Sequence, residues 1–331
     1  TVAQLVDEGR LDFDAPVRTW LPAFAIADTD AAAQLSLRDM LSHRSGLPRH
    51  DLLWYNNAEL RRDDLPTRMA ALESSAPLRT RWQYNNLMYM LSGHAVETVS
   101  GRPWERRTRE ALLEPLGMVR TNFAVSEMAR DRNAAIAYKL DRQRVPQPIP
   151  LRPVDFIGPA GSINSTARDY AQWLRLNLNG GEVGGKRLVS VASLQALHAP
   201  LLPTGGKPEF AEFGPGFYGM GWFVDSYRGM TRVQHGGNLD GFAARVTLFP
   251  EQGWGSVIFV NLEASPLPGW LSLDVMDRLA GLTPRDWSTK MLARRDLSEG
   301  AEDTARTKQD QQRVPDAPPA HALGDYAGTY Q

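Results

Sequence analysis

Thr231-Arg-Val-Gln-His-Gly-Gly-Asn-Leu-Asp-Gly-Phe-Ala-Ala-Arg-Val-Thr-Leu-Phe249 is the stretch that decides the fold. In its second half Phe242, Ala244, Val246 and Leu248 alternate with Ala243, Arg245, Thr247 and Phe249, the two-residue period of a β-strand. Thr231 to Gln234 reads as a preceding strand, and His235-Gly236-Gly237-Asn238 stands at its end. Two successive glycines let another backbone approach closely, as an extended substrate running along a sheet edge requires.

Outward from this stretch the same period holds. Tyr218 to Val224 reads as a strand before it. Pro250-Glu251-Gln252-Gly253 is a tight turn into another strand, Trp254 to Leu262. Sequential strands joined by short turns imply an antiparallel sheet. Trp270 to Leu282 reads as a helix able to cover one face.

Towards the N-terminus the period becomes helical. Asn85 to Ser100 carries Leu87, Met88, Met90, Leu91, Ala95, Val96 and Val99, more than one amphipathic stripe, so this helix is expected to be buried on most sides. Gly101 and Pro103 end it. Trp104 to Leu113, the stretch opened by Thr166-x-x-Asp169, and Ser190 to His198 read as further helices. The fold class is therefore α/β: an antiparallel sheet flanked by helices, with a helical lobe from about residue 40 to 200 and the site between them. Residues 289–320 are charged, contain prolines and have little to bury, and read as a linker.

Composition narrows the chemistry. The chain has 331 residues, a net charge of -1 and no cysteine. Near-neutral charge gives no reason to expect a nucleic-acid partner. Without cysteine there is no disulfide, thiolate metal site or thiol nucleophile. The histidines show no metal-ligand spacing, and H-E-x-x-H, P-loop, Gly-x-Gly-x-x-Gly and Gly-x-Ser-x-Gly patterns are absent. No metal or organic cofactor is called for. No apolar run approaches the roughly 20 residues of a membrane span.

Two short motifs carry chemistry. Tyr84 precedes the buried helix, so its phenol is placed to project into a cleft; neighbouring cations would have to lower its pKa before it could take a proton from a nucleophile. Asn86 offers an amide for a substrate carbonyl or a lysine. His235, Gly236 and Gly237 lie on the sheet, and the N–H of Asn238 is a candidate oxyanion donor. Taken alone, each motif also fits a plain helix start or a β-turn. His43 and Ser45 stand in a Gly- and Pro-marked loop, Ser42 to Pro48, that holds no Asp or Glu to orient His43, and read as a structural loop rather than a Ser–His dyad.

In order and surroundings the chain resembles the penicillin-recognising serine hydrolases, in the class C β-lactamase-like branch with its D-alanyl-D-alanine peptidases, esterases and D-aminopeptidases. The stretches that carry the resemblance include Ala3 to Asp12, Leu41-Ser-His-Arg-Ser-Gly-Leu-Pro48, Tyr84 through Gly101, Glu114 to Met118, Pro159 to Arg168, Tyr218-Gly-Met-Gly-Trp222 and His235-Gly-Gly237. The resemblance implies Tyr84 as proton carrier, Asn86 as substrate and lysine ligand, and His235 where the strand motif usually has lysine. It also implies Gly236, Gly237 and Asn238 as the substrate-binding edge with its oxyanion donor. Histidine at the first strand position looks like the esterase and D-aminopeptidase relatives.

The third motif of these enzymes, Ser-x-x-Lys, which holds the nucleophile, does not occur in the chain. In relatives it stands on the helix whose end is seen here before Gly9, so the resemblance implies a chain cut at both ends, with the family's first strands missing. It further implies a hydrolase unit over residues 1–288, a linker over 289–320 and the start of a truncated β-rich domain over 321–331. The expected activity is hydrolysis of amide, peptide or ester bonds of a small-molecule or peptide substrate, in the periplasm or outside the cell. The alternative is a nucleophile-free protein that binds peptidoglycan-like or acylated ligands.

Overall fold

The computed structural model describes residues 1–55, 57, 60–312 and 317–327. The chain divides into two compact units, Thr1–Ser272 and Leu273–Gln331.

In the first unit the helices that matter are α1 (Val2–Asp7), α2 (Leu37–Leu41), α3 (Asn86–Ser100), α4 (Ala167–Leu178) and α5 (Val191–His198). Local chemistry sets their ends. Ser36 and Asp39 form a reciprocal capping box on α2. Asn85 caps α3 by accepting from the N–H of Met88 at 3.3 Å, and Gly101 closes it at φ +68°. Thr166 caps α4 through the N–H of Asp169. The helix α3 is the axis of the lobe: Leu87, Met88, Met90, Leu91, Ala95 and Val96 are all fully buried. Burying each large side chain contributes roughly 1.5–3 kcal/mol against the entropy of ordering the chain. Gly93 lets α3 approach Pro159 so closely that a Cβ there would stand 2.0 Å from the proline ring.

The sheet has six strands: β1 (Leu202–Pro203), β2 (Phe217–Tyr218), β3 (Phe223–Tyr227), β4 (Met230–Leu239), β5 (Phe242–Phe249) and β6 (Trp254–Val260). They are antiparallel in consecutive order, as the sequence implies. Val233, Val246 and Leu248 pack with Trp222, Val224 and Leu174 of α4, which binds the sheet to the helical lobe.

Two strand expectations are corrected. The run Tyr218 to Val224 is broken into β2 and β3, because Gly221 turns the chain at φ +89° and the N–H of Gly219 closes on Trp222 O at 2.8 Å. And β4 does not stop at Gln234. It stays paired with β5 through Leu239, so His235-Gly-Gly-Asn lies inside a strand rather than at its end.

The second unit holds most of α6 (Leu267–Leu279), which begins in the first unit, and α7 (Trp287–Gln311). Where the sequence reading expected an irregular linker over 289–320, the stretch as far as Gln311 is helical: α7 is a 25-residue helix. The prolines that suggested a linker all lie beyond it, while more than half of α7 is Ala, Leu, Arg, Lys, Glu or Gln, strong helix formers. Asp286 caps it through the N–H of Thr289 at 3.0 Å. Of the strand expected near the end of the chain, Leu323–Tyr326 form a 3₁₀ turn, and residues 328–331 lie outside the described residues.

Candidate active site

The edge of β4 explains how the sheet presents its motif. Strand β3 pairs with β4 only from Met230 to Gln234, whereas β5 pairs with it from Val233 to Leu239. Among the described strands, His235 to Leu239 therefore have no partner on the β3 side. Gly237 and Asn238 are exposed there, an open edge suited to an extended ligand.

Tyr84 comes to this edge from the other lobe. The ring centroids of Tyr84 and His235 are 6.2 Å apart. Tyr218 lies between the lobes, 1% exposed, with its hydroxyl 3.0 Å from Nε2 of His235. Nδ1 of His235 is 2.6 Å from the carbonyl of Gly236, so the proton must sit on Nδ1. Nε2 is then an acceptor, and Tyr218 donates to it. Burial lowers the His235 pKa, the Gly236 carbonyl pulls it up, and Arg245 pushes it down again. The imidazole is neutral at neutral pH.

The junction is built from glycine backbone. The N–H of Gly221 donates to Leu41 O at 3.1 Å, and the hydroxyl of Tyr89 donates to the same oxygen at 2.6 Å. A Cβ on Gly219 would stand 2.6 Å from Leu197 O. The sheet thus docks onto the end of α2 and the loop after it.

That loop supplies a residue the sequence reading set aside. His43 is fully buried, with its ring centroid 4.1 Å from Tyr84, 5.0 Å from Tyr89 and 4.9 Å from Tyr218. Its Nδ1 accepts from the N–H of Asn85 at 3.0 Å, which places the proton on Nε2. Among the described residues, that buried Nε2 has no hydrogen-bond partner. An orphaned buried donor costs about 1–3 kcal/mol. Burial holds the His43 pKa well below the usual histidine value, with His235 and Arg49 adding to the effect. Ser45 is no partner for it: its hydroxyl accepts from the N–H of Leu47 at 3.2 Å. Only the resemblance of Leu41 to Pro48 hinted at His43, because nothing in local sequence shows which rings surround it. Trp82 and Phe223 complete the aromatic wall, 5.7 Å apart.

Asn86 is the first residue of α3 and donates to Asp51 Oδ1 at 3.1 Å. Asp51 also binds Arg49, whose guanidinium lies 5.0 Å over the Tyr84 ring. The cation expected to lower the Tyr84 pKa is therefore present but outweighed. Burial raises it, Arg49 lowers it in part, and Asp51 raises it again. As placed here Tyr84 is a neutral phenol, able to donate a hydrogen bond but not to act as a base.

A separate depression of about 430 Å³ is lined by residues that include Glu105, Arg109, Phe123 and Glu127, and by none of the residues above. Its charged walls satisfy one another, as in the Arg109–Glu127 pair at 3.4 Å. Among the described residues, no cluster of His, Asp and Glu is arranged to hold a metal ion, and no helix is long and apolar enough to cross a membrane.

The chain is similar to several known proteins. The chain is 26% identical over 343 aligned residues to the unguisins hydrolase ungD' of Aspergillus campestris, an alignment that covers 98% of the chain but 63% of that relative's length. In three dimensions it resembles the octameric penicillin-binding protein homologue of Pyrococcus abyssi, with a TM-score of 0.71 and 23% identity over 86% of the chain and 64% of that structure. It also resembles a D-stereospecific amidohydrolase from a Streptomyces species, with a TM-score of 0.66 and 23% identity over 79% of the chain and 78% of that structure. The family model for Beta-lactamase matches residues 1–269, the span that holds both lobes and every residue of the site, and the chain belongs to that family.

Proposed function

We propose that this site belongs to a serine hydrolase that opens amide, peptide or ester bonds through an acyl-enzyme. The observation that carries the reading is the convergence of Tyr84 and His235, from two different lobes, beside an unpaired stretch of strand. In this reading the acyl group lies along His235 to Asn238, with the Asn238 N–H facing the developing oxyanion. Asn86 and neutral His235 orient the substrate. Tyr84 carries the proton from the attacking hydroxyl to the leaving group.

The chemistry needs a serine and a lysine that this chain does not contain, since no Ser-x-x-Lys occurs in it. The neutral state of Tyr84 is consistent with that: an ammonium beside the phenol would be needed to make it a base. The chain as it stands should form no covalent adduct with a fluorophosphonate. Joined to a family segment that supplies Ser-x-x-Lys, it should label on that serine and hydrolyse p-nitrophenyl esters or D-amino-acid amides. No turnover on a panel that also includes a chromogenic cephalosporin, in a folded protein carrying the serine, would refute the reading.

The same missing motif favours a second reading, a nucleophile-free binder of peptidoglycan-like or acylated ligands. It calls for saturable binding without an adduct, and an adduct on the chain alone would exclude it. Both readings put the protein in the periplasm or outside the cell, which cell fractionation checks.

A further inference from the structure

His43 meets Tyr84 from three directions. Its carbonyl accepts from the N–H of Gln83 at 2.8 Å, and its Nδ1 accepts from the N–H of Asn85 at 3.0 Å. Those are the residues on either side of Tyr84. The imidazole itself lies against the phenol ring at 4.1 Å. One residue thus brackets the Tyr84 backbone before and behind and fixes its ring.

His43 does this at φ +57°, in the left-handed region, which is uncommon outside glycine but which histidine enters more readily than most residues. The conformation is held from outside. Arg44 and Arg79 both bind the fully buried carboxylate of Asp39, and the N–H of Arg79 donates to Arg44 O at 2.8 Å. Filling space would need none of this, since a leucine could supply similar bulk. What the imidazole adds is an acceptor nitrogen aimed at one particular amide.

We propose that His43 is a positioning residue that sets the Tyr84 phenol in the site by holding the amides of Gln83 and Asn85. The proposal rests on the reading of Tyr84 as the proton carrier, but its test reads no catalysis, so the two can fail separately.

Three variants of the chain separate bonding from bulk. His43→Asn keeps an acceptor near the Nδ1 position and tolerates positive φ. His43→Leu keeps bulk without an acceptor, and His43→Ala keeps neither. The readouts are amide hydrogen exchange at Asn85, referenced to Leu91 in the same helix, and the Tyr84 ¹³Cζ resonance. In the leucine and alanine variants the Asn85 amide should exchange at least about tenfold faster, and the Tyr84 line should shift and broaden. His43→Asn should restore both to within about threefold of wild type. Wild-type exchange at Asn85 in the leucine variant would overturn the proposal, as would a folded asparagine variant that restores nothing. If the asparagine variant does not fold, the leucine variant decides alone.

Discussion

The hydroxyl of Tyr218 donates to Nε2 of His235 across 3.0 Å, while Nδ1 of the same ring donates to the Gly236 carbonyl at 2.6 Å. The imidazole is thereby fixed as one tautomer, and the sheet motif on β4 is tied to a residue of β2, two strands away in the sheet. Tyr218→Phe removes a donor that binds only the neutral form of His235. The His235 pKa should rise, and the protein should lose about 1–2 kcal/mol of stability. Histidine NMR titration and urea unfolding check the two effects; an unchanged or lowered pKa would show that the bond does not set the ring's state.

Asp39 should be the most sensitive charged residue of the helical lobe. Its carboxylate is fully buried, caps α2 through Ser36 and binds both Arg44 and Arg79. Asp39→Ala leaves the half-buried Arg44 without its partner and releases the loop that carries His43, so it should cost about 3–5 kcal/mol. A denaturant midpoint close to wild type would contradict this.

Gly93→Ala tests the packing of α3. The added methyl would stand 2.0 Å from Pro159 Cγ, so the segment Gly158–Gly161 must move. The helix-propensity gain of alanine is under about 1 kcal/mol, and overpacking costs about 1–3 kcal/mol, so the net change should be destabilising. A thermal melt shows the sign directly.

The strand period from Phe242 to Phe249, the apolar density of Asn85 to Ser100 and the cap at Thr166 made the architecture legible, because each is a local signal. Tyr84 and His235 were legible as motifs, and their convergence is a structural observation. His43 and Tyr218 were not, because their importance comes from which rings pack around them, and a single sequence carries no such distance information. The helix α7 was missed for a different reason: its prolines cluster beyond its end, and a polar surface hides a strong intrinsic propensity.

Acid should destabilise the fold through its buried histidines. Burial lowers the pKa of His198 to about 4, and lowers those of His43 and His235 as well. A histidine with a lowered folded pKa binds its proton more readily in the unfolded chain. Its stabilising contribution is complete above about pH 6.5 and falls as the pH drops towards the folded value. Each group should add a slope of about 1.4 kcal/mol per pH unit in that window. Urea unfolding between pH 7 and pH 4.5 should show the decline, and His198→Gln should make it shallower by one proton. A flat profile would mean that these rings are not buried neutral.

If Tyr84 and His235 line a single acyl-binding hollow, a titration of the isotope-labelled chain with D-phenylalanine amide should show it. The ring signals of Tyr84 and His235 and the amide of Asn238 should move together along a single binding curve, with no change in protein mass. Movement of His235 without Tyr84, or of neither at saturating ligand, would contradict the account.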